Sequence, residues 1–186
     1  GDIYVANNIT TEDGLSDGLY YVLIQGNNTS SGYFGDNLTF FNGTPTSSGA
    51  WSYSTINVQD NSQIITGDSE YFSYRWSGYF TPDSSGTWNF RTVSDDSSLV
   101  YIGSAGTSVS SYLSTLQASS TISKSTLVVN NSGLHGDVTK TGSISLTSGN
   151  VYPFVAYFGE NTGGATMVFN YGKGNYNLSN VSSSGG

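Results

Sequence analysis

The chain has no cysteine and few charged residues, and each shortage excludes a class of protein. Without Cys among its 186 residues, neither a disulfide framework nor a thiolate metal site is available. Five Lys and Arg against 13 Asp and Glu give a net charge of −8. Nucleic-acid binding needs clustered cations and is therefore excluded. Apolar runs reach only about five residues, whereas a membrane helix needs roughly 20, so no membrane insertion is expected.

Aromatic and β-branched residues are abundant, and they recur in short runs between clusters of turn residues. The aromatic fraction is 14%, and the chain has 24 Gly. This pattern predicts an all-β fold, an antiparallel β-sandwich of jelly-roll type with long surface loops. The predicted strands cover residues 18–25, 71–80, 86–93, 98–102, 125–129, 142–146, 151–158 and 165–171.

Turn residues and composition predict how these strands are connected. The turn signals at residues 82–86 and 147–150 predict two β-hairpins, one over residues 71–93 and one joining 143–146 to 151–158. The Ser- and Thr-rich residues 103–123 are expected to form a long surface loop. Residues 1–181 are predicted to be one domain, and residues 182–186 (SSSGG) a linker-like tail. With no initiator Met and no signal peptide, the simplest interpretation is a module of a longer chain.

Few residues are suited to catalysis. His135 is the single histidine, and one His without Cys cannot provide the usual zinc ligand sets. The GxSxG motif of Ser-His-Asp hydrolases is also absent. We therefore expect His135 to be an ordinary loop residue and the chain not to be an enzyme.

Two segments carry groups that could bind an ion. Asp95-Asp96 is the only pair of adjacent aspartates, and it follows a predicted strand. On a regular strand the two side chains would point to opposite faces, which favours a solvated turn; turned the same way, they would suit Ca²⁺. The second segment, residues 158–165 (FGENTGGA), combines a carboxylate, an amide and three glycines, and is either a flexible loop or a ligand loop.

Several short motifs, taken in order, resemble the protective-antigen-type β-sandwich family, and in particular the yeast flocculin and GLEYA-type adhesin lectins. They are residues 76–80 (WSGYF), 85–90 (SGTWNF), the Asp95-Asp96 pair, 101–103 (YIG), 147–153 (TSGNVYP) and the loop 159–165. The yeast members carry disulfides near their termini, whereas this chain has none. The resemblance is therefore taken to indicate a bacterial or viral surface member.

The resemblance implies a calcium site. In that family the two aspartates are joined by a cis peptide and both bind one Ca²⁺. The family's ligand Asn falls on Glu160 here, which leaves open whether Glu160 or Asn161 provides the side-chain ligand. The backbone-carbonyl ligands fall on Thr162 and Gly164.

The same resemblance implies that two hydroxyls of a terminal hexose complete the calcium shell. The implied sugar contacts are Asp95, Glu160, Asn161 and Gly163. Tyr101, Tyr157 and Tyr33 are candidates for an aromatic wall under the sugar, although ordinary packing is the simpler interpretation of each.

The function implied is a Ca²⁺-dependent lectin or adhesin module that binds glycans of a cell or matrix surface. It would belong to a larger extracellular, cell-surface or virion-surface protein. Two alternatives remain: a non-lectin structural segment of a filament, fibre or virion, and a non-catalytic module appended to a glycosidase.

Overall fold

The computed structural model describes residues 9–10, 18–60, 62–65 and 69–173. In this part of the chain the regular structure is mostly β-strand. The strands are β1 (Ile9–Thr10), β2 (Tyr20–Gln25), β3 (Ser47–Ala50), β4 (Asn57–Gln59), β5 (Phe72–Phe80), β6 (Gly86–Asp95), β7 (Ser97–Ile102), β8 (Leu127–Asn131), β9 (Val138–Leu146), β10 (Tyr152–Glu160) and β11 (Thr166–Lys173). The helices are α1 (Val109–Leu116) and the 3-10 helices Ser30–Gly32 and Leu38–Asn42.

The strands form two antiparallel sheets. The larger has the order β3-β2-β5-β10-β7-β8, with β1 also paired to β5, and the smaller has the order β4-β11-β6-β9. These two sheets confirm the predicted all-β sandwich. The single domain over residues 1–181 remains a prediction, and the predicted tail, residues 182–186, lies outside the described residues.

The core between the sheets is built from aromatic side chains of alternating strand positions. Along β5, Phe72, Tyr74 and Trp76 are fully buried, and Trp76 stacks on Tyr74 with ring centroids 4.8 Å apart. From the smaller sheet, Phe90 packs edge-on against Phe80 at 5.3 Å. Each such side chain contributes about 1.5–3 kcal/mol by burial, so this cluster is the main source of stability.

A second apolar cluster covers the outer face of the larger sheet. Phe34, Leu38 and Phe41 pack there against Tyr157, and α1 adds buried side chains beside them. Because this layer surrounds Tyr157, strand β10 is buried along its whole length.

Helix α1 corrects the prediction of a long surface loop over residues 103–123. Ser108 caps the helix by accepting a hydrogen bond from the Ser111 N–H. Val109, Tyr112 and Leu116 are the buried residues of the helix. These three buried residues at helical spacing are a weak periodic signal in a segment rich in Ser and Thr. The helix is therefore hard to predict from the sequence, and tertiary packing stabilises it.

Both predicted hairpins are wrong. Strands β5 and β6 follow one another through the turn at 82–86, yet β5 lies in the larger sheet and β6 in the smaller one. The turn at 147–150 likewise leads from β9 in the smaller sheet to β10 in the larger. Both strands of each pair direct aromatic or aliphatic residues inward, and a short turn can span the roughly 10 Å between stacked sheets. Turn residues alone do not distinguish this connection from a hairpin.

The sheet registers place two strand ends at the same end of the sandwich. Gly159 of β10 pairs with Ser97 of β7, and Asp95 of β6 pairs with Thr166 of β11. The ends of β6 and β10 and the start of β11 therefore meet. No helix in the described part of the chain is long and apolar enough to cross a membrane.

Candidate metal centre

Three carboxylates converge where β6 and β10 end. Asp95 is the last residue of β6, Asp96 follows it directly, and Glu160 is the last residue of β10. One oxygen from each lies within 4.8 Å of the others. The Asp95–Asp96 peptide bond is cis, as the family resemblance implied. The structure thus brings together the acidic pair and the carboxylate of the second predicted segment.

Asp96 joins two loops to this cluster. Its Oδ1 accepts a hydrogen bond from the backbone N–H of His135 (3.1 Å), and its Oδ2 accepts one from the backbone N–H of Asn161 (2.8 Å). Hydrogen bonds to a carboxylate are among the stronger ones in proteins. Asp96 therefore positions both the β8–β9 loop and the β10–β11 loop around the cluster.

Glu160 is the unusual member because it is fully buried without a partner. Its side chain has no exposed surface, and neither carboxylate oxygen has a hydrogen-bond partner in the described part of the chain. Buried polar groups are nearly always paired, and an unpaired one is costly. A bound cation would supply the partner that these two oxygens lack.

The electrostatics of the cluster favour a cation. Burial raises the pKa of Glu160 to about 10, and the neighbouring carboxylates of Asp96 and Asp95 add to the rise. Burial, followed by the negative charges of Asp96 and Asp137, raises the pKa of Asp95 to about 6. Both shifts come first from burial and then from neighbouring carboxylates, and a bound cation would lower both pKa values.

The β10–β11 loop contributes the other predicted site residues. Asn161 is partly exposed, and its carbonyl oxygen accepts a hydrogen bond from the Tyr71 N–H (2.8 Å). Thr162, Gly163 and Gly164 are exposed. A Cβ built on Gly164 would lie 3.4 Å from Oδ2 of Asp95, so this glycine lies beside the cluster. Glycine at 163 suits its left-handed φ of 90°.

Two of the three tyrosines proposed as an aromatic wall are excluded. Tyr101 and Tyr157 are fully buried, and their hydroxyls donate to the Ile122 carbonyl and to Gln117 Oε1. Their rings belong to the outer apolar cluster, as their positions on the central strands β7 and β10 require. Tyr33 is partly exposed. Its pKa is raised by burial and then by the negative charges of Asp36, Asp96 and Glu160, which therefore lie near it.

Several supporting residues are not identified by sequence reasoning. Asp36 lies between the two 3-10 helices and accepts hydrogen bonds from the hydroxyl of Ser97 and from the Gly133 N–H. It therefore connects this segment to the site. His135 lies in a loop as predicted, and its backbone also supports Asp96. Asp36 and Ser97 are 61 residues apart. No local pattern relates residues at such separations, so the sequence carries no signal for these contacts.

Gly159 lies against aromatic side chains of the outer apolar cluster, so a larger residue at this position should destabilise the fold. A Cβ at this position would lie 2.5 Å from ring atoms of Phe34 and 2.8 Å from Tyr33 Cε1. We expect Gly159→Ala to lower the free energy of unfolding by about 1–3 kcal/mol, because two packed rings must move. Urea denaturation measures this. Gly136→Ala is the control, since a Cβ there meets nothing within 4 Å; equal stability of the two variants would contradict the prediction.

Comparisons with solved structures show the same fold in proteins of different kinds. The epithelial adhesin 6 A domain from Candida glabrata, solved in complex with Galβ1-3GlcNAc, has a TM-score of 0.63 and 14% identity. The match covers 94% of this chain and 86% of that domain.

Two longer proteins contain a similar domain. A β-glucosidase from Kluyveromyces marxianus has a TM-score of 0.59 and 13% identity, over 93% of this chain and 18% of that protein. An anti-sigma factor domain-containing protein from Clostridium clariflavum has a TM-score of 0.57 and 17% identity, over 85% of this chain and 42% of that protein. This chain therefore spans less than half the length of either.

Sequence comparison is informative at the level of the family. No curated protein sequence matches this chain. Residues 26–184, which include all of the site residues above, match the PA14 domain. The resemblance drawn from the short motifs is confirmed at this level: the chain belongs to the PA14 domain family.

Proposed function

We propose that this chain is a Ca²⁺-dependent carbohydrate-binding module. The observation that supports the proposal most is the buried, unpartnered carboxylate of Glu160 directed at the Asp95–Asp96 pair. Ca²⁺ is a hard cation that prefers six to eight oxygen ligands, including carboxylates and backbone carbonyls. Three convergent carboxylates and a glycine-rich loop beside them fit that preference.

The proposed ligands are the carboxylates of Asp95, Asp96 and Glu160. The carbonyl groups of Thr162 and Gly164, which lie in the adjacent loop, are the proposed backbone ligands. Between Glu160 and Asn161 we favour Glu160 as the side-chain ligand, because it is fully buried next to Asp96 whereas Asn161 is partly exposed. Calcium bound there would supply open coordination positions for neutral oxygen donors.

We propose that two hydroxyls of a terminal hexose take those positions. The residues placed to contact the sugar directly are Asp95 and Asn161, which are partly exposed, and Gly163. Glu160, with no exposed surface, would act on the sugar only through the ion. Tyr33 is the remaining candidate for an aromatic wall, since it is partly exposed and close to Asp96 and Glu160.

The structural neighbours support a glycan partner. The epithelial adhesin 6 A domain was solved with a disaccharide of galactose and N-acetylglucosamine. We propose that the partners of this chain are glycans of a cell or matrix surface, and that a longer bacterial or viral surface protein presents it outside the cell or on a virion.

A catalytic role fits the geometry less well than binding does. Glycoside hydrolysis uses two carboxyl groups on either side of the substrate, roughly 5–9.5 Å apart. Here the three carboxylates lie within 4.8 Å of one another, and Glu160 is inaccessible. The similarity to 18% of a β-glucosidase is consistent with a binding module attached to a longer protein.

Removal of calcium tests the proposed function. A terminal hexose should bind in the millimolar range, about −4 kcal/mol, because few contacts are available. Binding should disappear with a chelator and return when Ca²⁺ is restored. Saturation-transfer NMR with a panel of neutral hexoses measures this. Hexose binding that persists in chelator, or a panel with no binder, would contradict the proposal.

Asn161→Ala separates the sugar from the metal. We expect the variant to weaken hexose binding about tenfold, because the amide both donates and accepts hydrogen bonds, while Ca²⁺ affinity changes less than threefold. Isothermal titration measures both. Asn150→Ala is the control, because Asn150 is exposed in the β9–β10 turn. A larger loss of calcium than of hexose affinity in Asn161→Ala would assign Asn161 to the metal instead.

A further inference from the structure

The calcium site is surrounded by a second set of carboxylates. Glu70 Oε2 accepts a hydrogen bond from the Gly163 N–H (2.8 Å), and Asp60 Oδ1 accepts one from the Ala165 N–H (3.3 Å). Asp60 Oδ1 is also 3.8 Å from the position of a Cβ on Gly164. These two carboxylates thus lie along the β10–β11 loop, which carries two of the proposed sugar contacts, Asn161 and Gly163.

The other side of the site carries further negative charge. Asp137 is exposed, lies two residues beyond His135 and is close enough to add to the rise in the pKa of Asp95, after burial and Asp96. Asp36 accepts a hydrogen bond from the Gly133 N–H (3.0 Å) in the same β8–β9 loop. We call Asp36, Asp60, Glu70 and Asp137 the outer carboxylates.

The positive residues lie elsewhere. Lys173 pairs with Trp88, near the opposite end of β6 from Asp95. Lys124 donates to Ser119 beyond α1, and Arg75 donates to the buried Gln117. Arg91 donates to the buried Asn170. Lys140 lies on the neighbouring strand β9 and pairs there with Thr92, which is three residues, or about 10 Å along β6, from Asp95.

His135 offsets only part of this charge: it lowers the pKa of Asp95, whereas burial, Asp96 and Asp137 raise that pKa by more. Its two ring nitrogens lie against backbone carbonyl oxygens, Nδ1 at 2.8 Å from Gly136 O and Nε2 at 3.0 Å from Asn131 O. The ring is thus engaged with its own loop. Three inner and four outer carboxylates thus lie in the cluster and along its loops, and one Ca²⁺ together with the partial offset by His135 leaves most of their charge uncompensated.

We propose that this site selects neutral terminal hexoses and rejects anionic ones, such as uronates, sulfated sugars and sialylated ends. The proposal rests on the proposed function and deepens it. An anionic group on the sugar would enter a region of net negative potential next to the partly desolvated carboxylates, where like charges repel more strongly than in bulk water. The outer carboxylates act as specificity-determining residues without contacting the metal.

Matched pairs of sugars test the charge alone. D-galactose and D-galacturonate, and D-glucose and D-glucuronate, share their ring hydroxyls and differ only at C6. With Ca²⁺ in excess and at low ionic strength, we expect at least tenfold weaker binding of the uronate in each pair whose neutral sugar binds. The ratio should shrink as salt is added, because salt screens exposed charges. Saturation-transfer NMR titrations give both dissociation constants.

Charge-neutralising variants connect the effect to these residues. Asp137→Asn combined with Glu70→Gln should reduce the preference for the neutral sugar at least threefold, and the Gln amide oxygen can still accept the Gly163 hydrogen bond. Asp83→Asn, the same change in the exposed turn at the other end of the sandwich, is the control and should leave the ratio unchanged. Terbium luminescence reports in parallel that the ion site is intact.

The possible results are distinguishable. If neutral hexoses bind and the uronates bind equally well, or if the double variant leaves the ratio unchanged, the proposed selectivity is wrong and the lectin function stands. If Ca²⁺ binds but no neutral hexose does, the proposed function fails and the selectivity fails with it.

Discussion

Replacing Asp96 with alanine is expected to abolish Ca²⁺ binding. Asp96 provides one of only three carboxylates in the cluster, and its two oxygens also accept the N–H groups of His135 and Asn161. In the unmodified chain, a hundredfold excess of Ca²⁺ over its dissociation constant should stabilise the fold by about 2.7 kcal/mol. That corresponds to a rise in melting temperature of roughly 5–10 °C. The variant should show no such rise.

A second variant separates loss of the ion from loss of the fold. Asp96→Ala also leaves two backbone N–H groups without an acceptor, so its metal-free form should be less stable than the parent. Asp95→Ala should lose the calcium response with little cost in chelator, because Asp95 is partly exposed and holds no loop N–H in the described part of the chain. Asp83→Asn is the control. If calorimetric titration finds that Asp96→Ala binds Ca²⁺ with the affinity of the parent, the proposed calcium site is wrong.

Replacing Glu160 with methionine is expected to change stability and calcium binding in opposite directions. The carboxylate is fully buried with two unpartnered oxygens, so removing it in a side chain of similar length relieves an uncompensated polar group. We expect the metal-free free energy of unfolding to rise by about 1–3 kcal/mol. Stabilisation by Ca²⁺ should be lost at the same time, because the site keeps only two carboxylates.

Glu70→Met is the matched control for this prediction. Glu70 is partly exposed and accepts the Gly163 N–H, so the same substitution there should not stabilise the metal-free protein. Urea denaturation of the parent and of both variants, in chelator and in Ca²⁺, measures these effects. A metal-free Glu160→Met that is less stable than the parent would contradict the first effect, and an undiminished stabilisation of the variant by Ca²⁺ would contradict the second.

Local pattern is sufficient to predict the strands that bury an aromatic face. β5, β6, β7, β10 and β11 lie where alternating or continuous apolar residues predict them, since a side-chain period of two matches a sheet packed on a core. β3 (SSGA) and β4 (NVQ) have no such pattern and are missed. Their place depends on pairing with β2 and β11, which is a tertiary interaction.

The residues of the candidate site can be predicted from the sequence, whereas their arrangement in space cannot. Asp95, Asp96 and Glu160 can be selected from the chain because two short motifs and their order resemble a known family. The convergence of these carboxylates, however, depends on the register that pairs Gly159 with Ser97. The exclusion of Tyr101 and Tyr157 as sugar contacts likewise requires the outer layer that buries them.

The sequence by itself determined that the protein is a β-sandwich, that the chain is acidic and free of Cys, and that a pair of adjacent aspartates follows one strand. These properties follow from composition, side-chain period and residues that are neighbours in the chain. Only the tertiary structure decided which turns cross between the sheets, that α1 forms, and that Asp36, Glu70 and His135 support the site. Those features depend on contacts between distant residues; Gly163 and Glu70, for example, are 93 positions apart. Packing of the whole chain selects such contacts, and local propensity does not encode them.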